Sequence, residues 1–524
     1  MKIVTRETKK RCFIFRIFVT RATKIRKRAD EMKTQAAIIG GGPVGLMLAS
    51  ELALAGVKTT VIERLKKTVP YSKALIMHPR TLELFAMRGI LERFLEKGTK
   101  VSSGHFSMLD TRLDFSRLDT KQNYSLMLPQ AETERMLEEY ASSLGADIIR
   151  GAEAVAVTQT DDGVETVFRD ESGIRTLHSL YAAGTDGAGS IVRKQAGIAF
   201  SGTDADLTGT LCDAALKHPP ESSFFSTCRL EGSVVIIPLT DGLFRVLIVS
   251  PHVPQKRKEE RVTEDELKED LRRICGTDFG LSDPVWMSRF GNAERQAEQY
   301  RSGRIFVAGD AAHIHFPAGG QGLNTGLQDA VNLGWKLAAQ MKGKAAPHLL
   351  DSYHQERHST GKEVLHNIKT QIKLMDFTES GMALRETMTA LLDFQESNRL
   401  LAGKVSALDL HYEPDAELPP HTLNGKRLPD IELTLHDGRP ARLYDFLRKG
   451  GFVLLSLRGS IPAGIDTDSV AAVRAELAET RADWNDVHTV LIRPDGHAAW
   501  AAGGSGREAE EAVLAGLERW GLFI

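Results

Sequence analysis

An unbroken apolar run, Ala36-Ala-Ile-Ile39, leads straight into Gly40-Gly41-Gly42-Pro43-Val44-Gly45, and few sequence features restrict a fold more. Helical periodicity continues through Leu46, Leu48, Ala49 and Leu52 to Ala55-Gly56, and a second strand pattern, Lys58 to Ile62, ends on Glu63-Arg64. Strand, glycine turn, helix and strand with a terminal acid make a dinucleotide-binding βαβ unit. Gly40 suits the tight turn, Gly42 lets a pyrophosphate approach the backbone, and Gly45 lets helix and strand pack closely. The phosphate charge then faces the helix N-terminus. A carboxylate at Glu63 binds ribose hydroxyls and repels a 2′-phosphate, which favours FAD or NAD over NADP and leaves the first two open.

A second stretch, Gly303 to Ala330, has complementary parts. The strand pattern Ile305 to Ala308 ends in Gly309-Asp310, a carboxylate at a strand terminus. A Pro/Gly loop through Pro317 and Gly320 leads into Gly322-Leu323-Asn324-Thr-Gly326 and a long helical pattern. Such a loop can hold a polyol chain and an electron-rich ring against backbone N–H groups. With the first motif it implies one long cofactor spanning the fold.

The 524 residues correspond to about two to four domains. A formal net charge of −2 gives no reason to expect nucleic acid or a stable membrane association. No apolar run reaches the roughly 18–20 residues of a membrane span. The 4 cysteines lack paired spacing, which argues against structural zinc and a disulfide framework and fits a reducing cytoplasm. His313-Ile-His315 resembles a metal pair, but no acid or cysteine cluster comes after it at ligand spacing, so no metal is expected. Residues 1–33 read as a basic tail, disordered or upstream of a start at Met32, with a targeting arm the weaker alternative.

Three motifs together resemble the single-component FAD-dependent aromatic hydroxylases, the para-hydroxybenzoate and phenol hydroxylase group. They are Gly40–Gly45 with Glu63, then Ala183-Gly-Thr-Asp186-Gly187-Ala-Gly-Ser190-Ile-Val-Arg193, then the Gly309-Asp310 stretch. Pro79-Arg80-Thr-Leu-Glu83, Leu128-Pro-Gln130 to Glu134 and Leu350-Asp-Ser-Tyr353 match as well. The similarity runs from Thr34 to the C-terminus and is greatest to the branch with a thioredoxin-like C-terminal domain, which includes polyketide and rifampicin hydroxylases.

The resemblance implies an α/β fold: a Rossmann-like FAD-binding domain in segments 34–105, 125–200 and 296–400, interrupted by a β-sheet substrate domain (106–124 and 201–295). A linker (401–420) and a thioredoxin-like domain without redox cysteines (421–524) complete the chain. The resemblance also implies that Asp310 binds the ribityl hydroxyls and that the backbone from Gly320 through Gly322 and Leu323 to Asn324 faces the flavin ring. Gln130 touches the cofactor, Asp186 lies near the pyrophosphate, and Pro317 stands at the reactive flavin edge as the catalytic-loop residue. The family's usual Arg-Ala is Lys73-Ala74 here, which keeps the charge and loses the planar fork. With Pro43, Val44 and Arg64, these residues complete the expected cofactor set.

The implied reaction is hydride transfer from NADH or NADPH to FAD, then O2 addition to give a flavin hydroperoxide that hydroxylates a phenolic or polycyclic aromatic. Partners would be the small aromatic, O2 and NAD(P)H, with the protein a monomer or homodimer. The alternatives are a reductase or epoxidase of the same superfamily, or a flavin-binding sensor or scaffold.

Local patterns complete the reading. Alternation from Phe106 to Asp119 and from Phe200 to Arg295 suggests antiparallel strands, with a hairpin at Ser233–Pro238, Asp241-Gly242 and Phe244–Val249. Thr263-x-x-Glu266 is a capping box for a helix through Ile274. Arg80 suits either an FAD contact or an ion pair, and Trp335-Lys336 reads as core beside a solvated charge.

Overall fold

The computed structural model describes residues 31–522 except 70, 223, 240–241, 252–259, 459–460 and 504–506. Five parallel strands form the central sheet, in the order Ile305–Val307, Tyr181–Gly184, Ala36–Ile39, Thr59–Glu63 and Asp147–Arg150. Arg301–Ser302 adds an antiparallel edge. Strand register places the site. Gly184 lies opposite both Ile39 and Val307, so the turns after Ile39, Gly184 and Val307 emerge side by side at one sheet edge. Three motifs far apart in sequence therefore share the carboxyl end of a parallel sheet, the usual place for a ligand in such folds.

The Pro43–Leu54 helix covers this sheet and packs on the long Gln321–Met341 helix. Their approach is close. A Cβ on Gly326 would lie 2.6 Å from Val44 Cγ2, and one on Gly334 would lie 2.4 Å from Glu51 Cβ. A four-stranded sheet, Glu31–Lys33, Gly173–Ser179, Val164–Asp170 and Glu153–Gln159, flanks the core. Glu31–Lys33 pairs with Thr176–His178, so ordered structure starts inside the segment read as a tail; residues 1–30 lie outside the described residues.

The inserted sheet is antiparallel, in the order Phe225–Arg229, Gly232–Pro238, Leu243–Val249, Thr208–Leu216 and Leu281–Gly291. The hairpin forms as expected, though Asp241 of its turn lies outside the described residues. One face packs under the Glu264–Cys275 helix through Leu267, Leu271 and Ile274, and Thr263 caps that helix by accepting from the Glu266 N–H. No strand of this sheet comes from 106–124. That segment has only the short Ser103–Gly104/Leu113–Asp114 pair and a 3-10 turn. Its apolar residues Phe106, Leu109, Leu113 and Phe115 pack against the helices ending the cofactor region rather than on a pleat.

After the Leu349–Lys373 helix come two shorter helices, Glu379–Leu392 and Gln395–Ser406. The expected linker thus begins inside a helix, and its Leu410, Tyr412 and Leu418 are buried. The chain ends in a six-stranded mixed sheet, ordered Pro440–Arg442, Glu432–Leu435, Val470–Leu477, Phe452–Ser456, Thr489–Ile492 and Ala498–Ala502.

A buried ionic seam joins this last sheet to the helices behind the cofactor turns. Arg493 grips both oxygens of Glu356 at 2.8 Å and Asp495 at 2.6 Å, and Lys336 reaches Glu356 at 2.8 Å. Lys336 is therefore not the solvated charge expected from sequence, for its side chain is fully buried. Burial pulls its ammonium down to about 8 against the attraction of Glu356. Burial opposes charge on Glu356 too, yet Arg493 and Lys336 hold it at about 2. Arg80 pairs with Glu83 (2.8 Å) and donates to the Asp495 carbonyl (2.5 Å), so it belongs to the same seam and is an ion-pair residue.

Removing one member of such a seam leaves buried charge uncompensated. Arg493→Met is expected to destabilise by about 3–5 kcal/mol, read as a lowered denaturation midpoint by tryptophan fluorescence. Lys66→Ala, which breaks the exposed pair with Glu171, should leave that midpoint where it is, since water screens the pair.

Candidate functional site

The glycine turn at the sheet edge is fixed by its neighbours. Gly40 has φ +108°, and a Cβ there would lie 2.4 Å from the Thr185 carbonyl oxygen. Thr185 Oγ1 in turn donates to the carbonyls of Ile39 (3.1 Å) and Gly40 (2.8 Å), locking the first and second motifs together. Gly42 caps the Pro43–Leu54 helix without any side-chain hydrogen bond to its first turn, and a Cβ on Gly42 would meet nothing within 4 Å. Open space before uncapped helix N–H groups is what a pyrophosphate needs. Gly45 is different. Its Cβ would lie 2.0 Å from the Gly40 carbonyl oxygen, so it serves packing.

Glu63 ends its strand as expected and accepts from the N–H groups of Gly41 (2.6 Å) and Leu65 (2.7 Å). Arg64 beside it is exposed. Asp186 accepts from the Ile191 N–H (2.7 Å) and from Ser190 Oγ, so its carboxylate turns onto the short helix it precedes. At the glycines of that turn, Gly187 and Gly189, an added Cβ would meet nothing within 4 Å, so their backbone is open to a ligand.

At the next turn Asp310 is exposed and stands in the 3-10 turn Gly309–Ala311, beside the Val44 end of the first helix. A fully buried carboxylate holds this turn in place. Asp329 accepts from Gly309 N (3.1 Å), from His313 Nε2 (2.8 Å) and from Arg357 Nε (2.7 Å). Burial disfavours its charge, but Arg357 and His313 keep the carboxyl below its usual range. His313 is thus a structural partner. Among the described residues no cluster of acids, histidines and cysteines could hold a metal.

Beyond it, the exposed Pro317 introduces Ala318-Gly319-Gly320, with Gly319 at φ +64° and Gly320 at φ +65°. Gly320 caps the 21-residue Gln321–Met341 helix with no side-chain bond, so a second helix N-terminus is without a side-chain cap. Gly322 and the half-buried Leu323 form its first turn. Asn324 is buried and fully used: it donates to the Ile76 (3.0 Å) and Gly320 (2.8 Å) carbonyls and accepts from His78 N (2.7 Å) and Thr81 Oγ1 (2.7 Å).

The Lys73-Ala74 segment is clamped from two sides. Gln130 accepts from Ala74 N (3.2 Å) and donates its own backbone N–H to the Ala74 carbonyl (3.0 Å). Arg245 forms a buried bidentate pair with Asp213 (both 2.7 Å) and reaches the Lys73 carbonyl at 3.4 Å. The inserted sheet thereby meets the cofactor region at the segment where the lysine replaces arginine. Across the glycine loop, Phe316, Val249, Ala318, Ile368 and Met375 form an apolar cluster, with Met108, Phe290 and Phe377 against it.

The sequence motifs miss His78, Asp213 and Arg245. For His78 a signal exists, since it lies next to the matching Pro79-Arg80. The others become meaningful only through long-range contacts. His78 is buried between Ser125 Oγ (3.0 Å) and the Gly319 carbonyl (2.7 Å), and burial pulls its imidazole down to about 4. The unfolded chain protonates this group near 6.5, so its contribution to stability is whole above that pH and is lost as pH falls towards 4. His78→Gln is expected to flatten the acid limb of a stability profile measured between these limits.

Comparison with known proteins agrees with the geometry. Residues 33–368 match the FAD binding domain family and residues 421–521 match the aromatic-ring hydroxylase C-terminal family. An uncharacterized aromatic compound monooxygenase, YhjG, of Bacillus subtilis (strain 168) is 59% identical over 490 residues, covering 93% of this chain and 98% of its own. A rifampicin monooxygenase of Streptomyces venezuelae is 41% identical over 490 residues, covering 92% of this chain and 98% of its own. Among solved structures, the anhydrotetracycline hydroxylase OxyS of Streptomyces rimosus superposes with a TM-score of 0.86 at 39% identity, over 94% of this chain and 100% of that one. Two helix N-termini without side-chain caps, a strand-end carboxylate and whole-length similarity converge, and this chain belongs to the FAD-dependent aromatic-ring hydroxylases.

Proposed function

We propose that the enzyme hydroxylates a phenolic or polycyclic aromatic, held between the Phe316-Pro317 loop and the face of the inserted sheet turned away from the Glu264–Cys275 helix. The observation that carries this is the apolar cluster around Phe316, Phe290 and Val249, whose Phe316 and Ala318 belong to the loop that runs into Gly319-Gly320. A flat ring there would be kept out of water, which the oxygen-transfer chemistry that FAD would supply requires. FAD supplies the redox chemistry and NADH or NADPH the electrons. The protein's share is binding, orientation and exclusion of solvent.

In this reading Gly42, Pro43, Val44 and the Gly187 backbone receive the pyrophosphate. Glu63 and Arg64 face the adenosine side, and Asp310 takes the ribityl hydroxyls. Gly320, Gly322, Leu323 and the backbone of Asn324 support the ring, with Pro317 at its reactive edge. Lys73, Ala74 and Gln130 border the flavin from the opposite side. Asp186 acts through its cap rather than by touching the ligand. The final sheet has the strand order of a thioredoxin-like fold, with Val470–Leu477 parallel and Thr489–Ile492 antiparallel to Phe452–Ser456, which supports that assignment for 421–524. Residues 421–524 hold no cysteine, so dithiol redox chemistry is not their task, and packing or an interface is the role we assign them.

Gly42→Ala fills space that no protein atom occupies. FAD affinity is expected to fall at least about tenfold, roughly 1.4 kcal/mol, by fluorescence titration, while the unfolding midpoint of the apoprotein stays put; unchanged affinity would remove the pyrophosphate from this turn. A panel of phenolics and polycyclic phenols is expected to contain compounds that stimulate NADH or NADPH consumption with a product heavier by one oxygen. Reductant consumption without an oxygenated product from any of them would contradict hydroxylation.

A further inference from the structure

The segment from His105 to Arg112 is held in an expensive conformation. Ser107 (φ 50°) and Met108 (φ 54°) are consecutive non-glycine residues in the left-handed region, which side chains with a Cβ disfavour. Four hydrogen bonds keep them there. Ser107 N donates to Gln371 Oε1 (3.2 Å) and Ser107 Oγ to the Gln371 carbonyl (2.6 Å), while Arg385 donates to the carbonyls of Ser107 (2.9 Å) and Met108 (2.6 Å). Strain over-determined in this way is retained where it aims side chains at a ligand.

The side chains so aimed are His105 and Arg112, which meet at Phe224. The His105 ring centre lies 5.6 Å from that of Phe224, and the Arg112 guanidinium sits 4.2 Å over the same ring. His105 Nδ1 is buried with no hydrogen-bond partner. Arg112 is half-buried, and among the described residues its guanidinium has no hydrogen bond or ion pair. Burial lowers the Arg112 guanidinium against the pull of Asp110, and burial beside Arg112 and His78 lowers the His105 imidazole to about 4. A buried polar atom such as His105 Nδ1 normally has a partner, and a half-buried guanidinium with no ion pair of its own selects an anionic oxygen.

The cluster also faces the right place. His105 neighbours His78, whose Nε2 meets the Gly319 carbonyl under the glycine loop, and Met108 packs into the Phe316 cluster. We propose that His105, Arg112 and Phe224 form a substrate subsite for an ionised oxygen, so that the enzyme prefers planar aromatics bearing a phenolate, enolate or carboxylate. The ring stacks by Phe224 while the oxygen takes the Arg112 fork and a His105 N–H. This subsite rests on the hydroxylase reading above.

The test uses FAD-loaded protein and two matched ligand pairs, followed by the flavin absorbance change at pH 8. One pair is 1-hydroxy-2-naphthoate and its methyl ester, the carboxylate arm; the other is 2,4-dinitro-1-naphthol and its methyl ether, the phenolate arm. The wild type is expected to bind the ionised member of at least one pair about tenfold more tightly or better. Arg112→Met should erase that ratio while still binding the neutral member, and Arg112→Lys should restore part of it. Equal Kd values within both wild-type pairs, or a preference that survives Arg112→Met, overturn the subsite and leave the hydroxylase reading standing. If Arg112→Met fails to hold FAD, the wild-type and Arg112→Lys ratios decide. A protein that oxygenates no phenolic, neutral ones included, overturns both.

Discussion

One buried carboxylate organises this enzyme. Asp329, on the long helix after the glycine loop, binds the Gly309 N–H, His313 and Arg357 at once, with no access to water. A lone carboxylate there would be costly, and a paired one repays only if all its lone pairs are used. Here the pairing is geometric as well as electrostatic. It fixes the turn that presents Asp310, the loop strand that leads to Pro317, and the facing Leu349–Lys373 helix. Arg357 also bonds Tyr412 (3.2 Å) and the Thr325 carbonyl (3.2 Å), so the same charge pair reaches the C-terminal part of the chain.

From that point the ionic seam continues through Glu356 and Arg493 to Asp495 and Arg80. The last sheet is therefore wired into the helices behind the cofactor turns rather than appended to them. Rigid support matters here because oxygen transfer depends on how accurately ring and flavin are held.

Much of this was legible in the sequence because the motifs are local. Strand–glycine–helix patterns specify Gly40 to Gly45, and a strand-end acid specifies Asp310, without knowledge of the rest. Register then brings them together, and register is set by the apolar strands themselves. The failures have a common physical cause. Lys336 looks solvated on its own helix, and only Glu356 and Arg493, distant in sequence, explain its burial. The alternation over Phe106–Asp119 resembles strands because apolar residues recur, but they serve turns packed on helices. His105, Arg245 and Gln371 carry no motif, and their meaning lies entirely in what they touch.

The central claim is that three turns at one sheet edge, held by Asp329, form a single bed for FAD. A crystal structure of the FAD complex tests it most directly. The expected result has the pyrophosphate over Gly42, a ribityl hydroxyl within hydrogen-bond distance of Asp310, and the ring against Gly319-Gly320, with the Asp329 contacts unchanged. An FAD bound with its ribityl chain away from Asp310, or an Asp329 that has left Gly309, would contradict it.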